Sequence, residues 1–362
     1  MRRKRGHVVE IDTLYEFDHH IERGARNLSG WHVQDVDLSN RGAVLRRSEV
    51  AGALFLGCTF APADEVSVRA RGGIVFPEIP LAPVDTYRSR LYEPRELYDT
   101  ALYENTFDAR TYAWSQQRRS RDLALAQALH DHSLDGALGE WVRGRSMVGI
   151  MGGHRMLRGA EDYAGAARLA HRLGTTYTVA TGGGPGAMEA GNLGAYLSPL
   201  PEGTLTEALA LLSTQPSFRP DIDAWLRPAF EVVERYPDGT ESLGVPTWHY
   251  GHEPSNPFAT RTAKFFMNSQ REALLLEICN SGIVFLPGAA GTVQELFQDA
   301  CENYYGSPGT IAPMVLVDRQ HWTETLPAWA LLQSLARDRA MENSVFLVDT
   351  VDEASDLLLE LA

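Results

Sequence analysis

A chain of 362 residues exceeds one typical domain, and 44% hydrophobic with 22% charged residues is the make-up of a globular protein. Its net charge of −14 argues against nucleic acid as a partner and against a basic membrane-binding surface. No apolar run approaches the ~20 residues of a membrane span, so a cytoplasmic protein without membrane contact is expected.

The basic cluster Arg2-Arg3-Lys4-Arg5 reads as a solvated tail. Cys58, Cys279 and Cys301 are odd in number and widely spaced, which fits neither a disulfide framework nor a zinc ribbon. Cys279 and Cys301 fall in predicted helices and are expected to be buried there.

From Leu28 to Phe60, small or apolar residues recur every fifth position: Leu28, Val33, Leu38, Ala43, Ser48, Ala53, Cys58. Residues 1–93 therefore read as a β-rich module, either a pentapeptide-repeat-like coil or a set of short antiparallel strands. Prolines 77, 80, 83 and 94 lead into a helical connector over 94–144, clearest from Asp122 to His130.

Residues 145–362 alternate apolar strand and amphipathic helix, which predicts a doubly wound α/β domain around a parallel sheet. Strands are expected at Met147–Met151, Tyr177–Ala180, Leu243–His249, Gly282–Leu286, Met314–Val317 and Val345–Val348. Helices are expected at Tyr163–Leu173, Pro185–Tyr196, Thr260–Cys279, Val293–Tyr304, Trp322–Arg337 and Glu353–Leu361. Leu205–Tyr236 reads as a helical insertion or lid, broken at Pro216, Pro220 and Pro228.

Two strand-to-helix turns are built from small residues. One is Gly182-Gly183-Gly184-Pro185-Gly186-Ala187-Met188-Glu189; the other is Pro287-Gly288-Ala289-Ala290-Gly291-Thr292-Val293-Gln294-Glu295. Small side chains let an anion approach bare N–H groups at the positive end of a helix dipole, so a phosphorylated ligand held between the turns is expected. The first turn, Gly149-Ile-Met-Gly-Gly-His154, adds Gly152 and Gly153 to the candidate ligand-binding residues. It is not G-x-G-x-x-G, and no acidic residue ends the second strand, which argues against NAD. There is no G-x-x-x-x-G-K-[ST], which excludes a P-loop ATPase.

The two glycine motifs in this order resemble the LOG (Lonely Guy) family of Rossmann-like nucleotide 5′-monophosphate phosphoribohydrolases, formerly labelled lysine decarboxylases. The resemblance covers Ser146 to Ala362, and the longer N-terminal part suggests a larger bacterial-type member. It implies hydrolysis of nucleoside 5′-monophosphates, AMP or another purine nucleotide first, to free base and ribose 5-phosphate. Neither cofactor nor metal is implied, and a homodimer or higher oligomer is expected.

By the same resemblance Glu295 and Arg271 form the catalytic pair, with Arg261 in reserve. Gly183, Gly184, Gly186, Glu189, Gly288, Ala289, Ala290, Gly291 and Thr292 join Gly152 and Gly153 around the substrate. Where the family has a second glycine, position 289 is alanine, which fits only if its φ is negative. A different class of reading stays open: a nucleotide-binding sensor or cofactor carrier without turnover.

Each candidate also has a plainer explanation. Thr292 and Glu295 could form a capping box, and Arg271 a surface ion pair. Trp248 and Tyr250 could stack on a base or fill the core. His249-x-x-His252-Glu253 lacks metal-ligand spacing on a helix. Lys264 is the only lysine besides Lys4, and nothing around it suggests Schiff-base chemistry.

Overall fold

A computed structural model describes residues 9–76, 82–118, 120–249 and 253–362. The chain divides into two compact units: Met1–Arg90 with Arg118–Ala137, and Leu91–Gln117 with Leu138–Ala362. The stretch expected as a separate connector is thus shared between them, and the long helix over 121–142 contributes to both.

The first unit holds β1 (Val9–Ile11), α1 (Leu14–Glu22), β2 (Trp31–Gln34), α2 (Gly42–Arg47), β3 (Leu54–Leu56), α3 (Pro62–Ala70) and β4 (Ile74–Phe76). Its four strands pair in sequence order and all in parallel. Neither the five-residue coil nor the antiparallel set is found. Paired residues are 22 apart from Val9 to Trp31 and from His32 to Leu54, then 20 apart from Leu54 to Ile74. One coil is therefore a strand, a helix and two corners.

The corner before β2, β3 and β4 is a left-handed glycine: Gly30, Gly52 and Gly72 have φ of 79°, 76° and 86°. That conformation strains any residue with a Cβ, so the glycine recurs once per coil. Leu28, Val33, Leu45, Phe55 and Val68 are fully buried between strands and helices. The five-residue step fails at Ala43 because it sits on the exposed side of α2.

The second unit begins with α4 (Pro94–Leu97) and α5 (Phe107–Ser115) and receives the end of α6 (Arg121–Val142). There follow β5 (Met147–Met151), α7 (Glu161–Leu173), β6 (Thr178–Thr181), α8 (Ala187–Leu197), α9 (Glu202–Leu212), α10 (Ile222–Arg235), β7 (Leu243–Gly244) and β8 (Arg261–Thr262). The chain ends with α11 (Asn268–Glu277), β9 (Ile283–Phe285), α12 (Ala290–Tyr305), β10 (Met314–Val317), α13 (Trp329–Ala336), β11 (Val345–Val348) and α14 (Val351–Glu360). The seven strands form one parallel sheet in the order β11-β10-β9-β5-β6-β7-β8. This is the doubly wound, Rossmann-like α/β fold.

Strand order reverses between β5 and β9, and the crevice outside their carboxyl ends is where such sheets take ligands. The glycine turns after β5, β6 and β9 all leave from that end. Two sequence expectations shift here. The helix expected from Thr260 begins only at Asn268, because Arg261–Thr262 pairs with β7. The strand expected to His249 ends at Gly244. Of the cysteines, Cys279 is buried but Cys301 is exposed on α12.

The segment Leu91–Gln117 is tied into this unit by a buried charge pair. Lys264 Nζ donates to Asp108 Oδ1 at 2.6 Å and to Ser255 Oγ at 3.1 Å, and Trp248 Nε1 donates to the same Asp108 oxygen at 2.9 Å. Among the described residues, no helix is long and apolar enough to cross a membrane.

Candidate functional site

The turn after β6 is a closed structure. Gly182 to Ala187 are all buried. The Gly183 N–H donates to Thr181 Oγ1 at 2.9 Å, while Asn256 donates to the Gly183 carbonyl from its backbone (2.9 Å) and to the Gly184 carbonyl from Nδ2 (3.1 Å). The Ala187 N–H, first in α8, is taken by the Gly153 carbonyl at 3.2 Å. A Cβ on Gly186, whose φ is +74°, would lie 2.6 Å from that carbonyl oxygen. Glycine is needed here for close packing of two loops. The Gly183 N–H, expected to meet a ligand, is instead spent inside the turn.

The turn after β9 is open. Ala289, Ala290 and Gly291 are exposed, and a Cβ on Gly291 would meet no atom within 4 Å. Ala289 is the N-cap of α12 with φ of −121°, so alanine is accommodated without strain and supplies no capping side chain. The leading N–H groups of a helix have no partner inside it, so this exposed end suits an anion. Gly152 and Gly153 adjoin it: a Cβ on Gly153 would lie 3.6 Å from the Pro287 oxygen and 3.8 Å from Gly288 Cα. Behind the turn, the Gly288 N–H faces His321 Nε2 at 3.4 Å.

Because α12 starts at Ala290, Thr292 lies inside the helix and does not cap it. Its buried side chain packs over Gly288. Glu295 is thus free of any capping box. It meets Arg271, whose Nη1 lies 3.3 Å from Glu295 Oε1. The rest of the guanidinium is held by backbone: Nε donates to the Val245 carbonyl at 2.5 Å and Nη2 to the Gly182 carbonyl at 3.4 Å. Arg271 therefore bridges the ends of β6 and β7 to α12.

Burial raises the Glu295 carboxyl above its ordinary pKa; Arg271 opposes this and the nearby Glu272 adds to it. Glu272 is itself engaged, accepting from Gln294 Nε2 at 2.6 Å and Asn268 Nδ2 at 2.7 Å. Arg261, the reserve candidate, pairs instead with Glu93 at 3.1 Å and Glu241 at 3.6 Å on the edge strand.

Two other expectations move. Glu189 has no exposed surface; Arg158 binds both its oxygens, with Nε–Oε2 at 2.9 Å, and also donates to the Trp225 carbonyl at 2.8 Å. Glu189 anchors α8, and Arg158 neutralises its carboxylate. Trp248 is buried, stacked on Phe266 at 4.7 Å between centroids, and belongs to the core. Tyr250 lies outside the described residues. At the rim, His154 Nδ1 lies 3.7 Å from Glu253 Oε1.

Sequence reasoning passed over Arg158, Asn256 and Asp299. Pro254-Ser-Asn-Pro257 is turn chemistry that points to Asn256. Asp299, one turn beyond Glu295, carried no signal. It is 5% exposed, its Oδ2 has no hydrogen-bond partner, and burial with help from Glu302 pushes its pKa up to about 8. The folded chain keeps this proton between about pH 4 and pH 8 while the unfolded chain loses it. Stability should then fall as pH rises through that window, by at most ~1.4 kcal/mol per pH unit. Asp299→Asn should flatten this part of the melting-temperature profile between pH 5 and pH 7; an unchanged slope would contradict it.

No protein-family model matches the chain, and no curated protein does. Among solved structures it is similar to the molybdenum cofactor binding protein from the phototrophic bacterium Rippkaea orientalis, at 13% identity and a TM-score of 0.37 over 60% of this chain and 98% of that one. The molybdenum cofactor carrier protein from Chlamydomonas reinhardtii aligns at 16% identity and a TM-score of 0.37 over the same shares. Likeness at this level says nothing of ligand or activity.

Proposed function

We propose that the chain hydrolyses the N-glycosidic bond of nucleoside 5′-monophosphates, releasing base and ribose 5-phosphate, as the resemblance to the LOG family suggests. The observation that carries the reading is the Arg271–Glu295 contact one helical turn behind the exposed start of α12. The 5′-phosphate occupies the α12 terminus at Gly288–Gly291. Glu295 then stands about a ribose length away, beside C1′.

Departure of the base leaves an oxocarbenium-like centre that a carboxylate stabilises, and the same carboxylate orients and deprotonates the attacking water. Water adds to C1′, and the base leaves with the bonding pair and takes up a proton. Arg271 is a positioning residue in this scheme. Two of its donors are committed to backbone carbonyls, so it keeps Glu295 ionised and aimed and does not clamp the phosphate.

The test is chromatographic: purified protein against a panel of nucleoside 5′-monophosphates, with AMP first. Free base and ribose 5-phosphate in equal amounts support the reading. A nucleotide that binds and is recovered intact would replace it with the sensor or carrier reading.

A further inference from the structure

A cavity of about 340 Å³ adjoins the turn after β6, and neither Arg271, Glu295 nor the Gly288–Gly291 turn lines it. Pro185 and Gly186 form one wall, and the loop after β5 with the segment leading into α10 forms the others. Its size falls at the small end of ligand pockets, roughly 300–1,000 Å³.

The charges around it are unbalanced. Arg155 and Arg219 both line the cavity, and among the described residues neither guanidinium has a carboxylate partner; Arg219 rests 5.4 Å over the Phe218 ring. The carboxylate in the lining, Glu189, is already neutralised by Arg158. Phe218, Trp225, Met156 and Leu157, the last half exposed, give the lining its apolar part, and His154 and Ser217 add polar groups. In a chain of net charge −14, two unpaired guanidiniums over an apolar, aromatic floor are a recognition chemistry. Guanidinium groups bind phosphate in a bidentate manner, and an aromatic wall accepts a flat ring.

We infer that this cavity is a ligand site separate from the Arg271–Glu295 pair, for a small phosphorylated molecule carrying a flat apolar ring. Arg155 and Arg219 take the phosphate and Phe218 the ring. The positive end of the α8 dipole, at Gly186 in the wall, adds to the field. The site does not depend on the proposed hydrolysis.

Isothermal titration calorimetry on the full chain tests it with two probes, phenyl phosphate and inorganic phosphate. Neither contains an N-glycosidic bond, so the result stands whether or not the chain is a hydrolase. Phenyl phosphate is expected to bind, and the double variant Arg155→Ala/Arg219→Ala to weaken it at least about tenfold. Phe218→Ala should weaken phenyl phosphate and leave inorganic phosphate unchanged. Gly291→Asp puts a carboxylate at the open end of α12, where there is room for it, and should leave cavity binding within about twofold. The inference is overturned if phenyl phosphate does not bind, if the double arginine variant binds like wild type, or if Gly291→Asp abolishes binding.

Discussion

Glu295→Gln is expected to lower turnover of a nucleoside 5′-monophosphate by ~10²–10⁴-fold, the usual worth of a positioned acid–base group. The amide keeps the shape and a hydrogen-bonding oxygen for Arg271, so nucleotide affinity should change far less than kcat. Loss confined to kcat marks a group that acts on the transition state. A loss in KM alone would make Glu295 a binding residue. The wild-type pH profile carries a second signature. Because burial raises the Glu295 carboxyl, the acidic limb of kcat/KM should lie above the ordinary glutamate range, since activity needs the ionised form. Full turnover by the Gln variant would remove Glu295 from the mechanism.

Arg158→Ala should destabilise the second unit by ~3–5 kcal/mol, the typical cost of leaving one member of a buried ion pair without its partner. Arg158 and Glu189 are 2% and 0% exposed, so water cannot replace the missing partner. Glu189→Ala should cost less, since Arg158 keeps the Trp225 carbonyl and the Trp225 ring 4.4 Å away. Replacing both by apolar residues should recover much of the loss, because it removes the uncompensated charge along with the pair. Denaturant unfolding of the three variants measures this. A double variant as unstable as Arg158→Ala would show that the pair contributes more than charge balance.

The contrast between these two carboxylates shows how far the sequence could be read. Glu189 sits in the first turn of α8 and Glu295 about one turn into α12, both helices follow glycine turns, and both were candidates for the ligand. What separates them is the state of the turn in front of each. Asn256 and Gly153 seal one turn from elements distant in sequence, whereas Ala289, Ala290 and Gly291 of the other stay exposed. Apolar runs found β5, β6, β9 and β10 closely, because strands buried on both faces read as unbroken apolar runs, and found the half-buried edge strand β11 as well. The edge strand β8 was lost inside a helix-like stretch. It is two residues long and is held by β7 and by Tyr92, whose backbone pairs with Thr262. Arg158–Glu189 and Asp299 were illegible for a related reason. A charged residue in an amphipathic pattern looks solvated until the fold buries it.

The N-terminal unit was misread at a different scale. Five-residue spacing fits part of one coil, but the repeating object is the whole coil, marked by Gly30, Gly52 and Gly72. Each coil hands its successor the same parallel edge in the same register. Such a module behaves as a ruler with one graduation: it can be lengthened or shortened by a full coil and still present matched edges. A change of five residues would fall within a single coil and displace its helix or its corner glycine from the strand it serves.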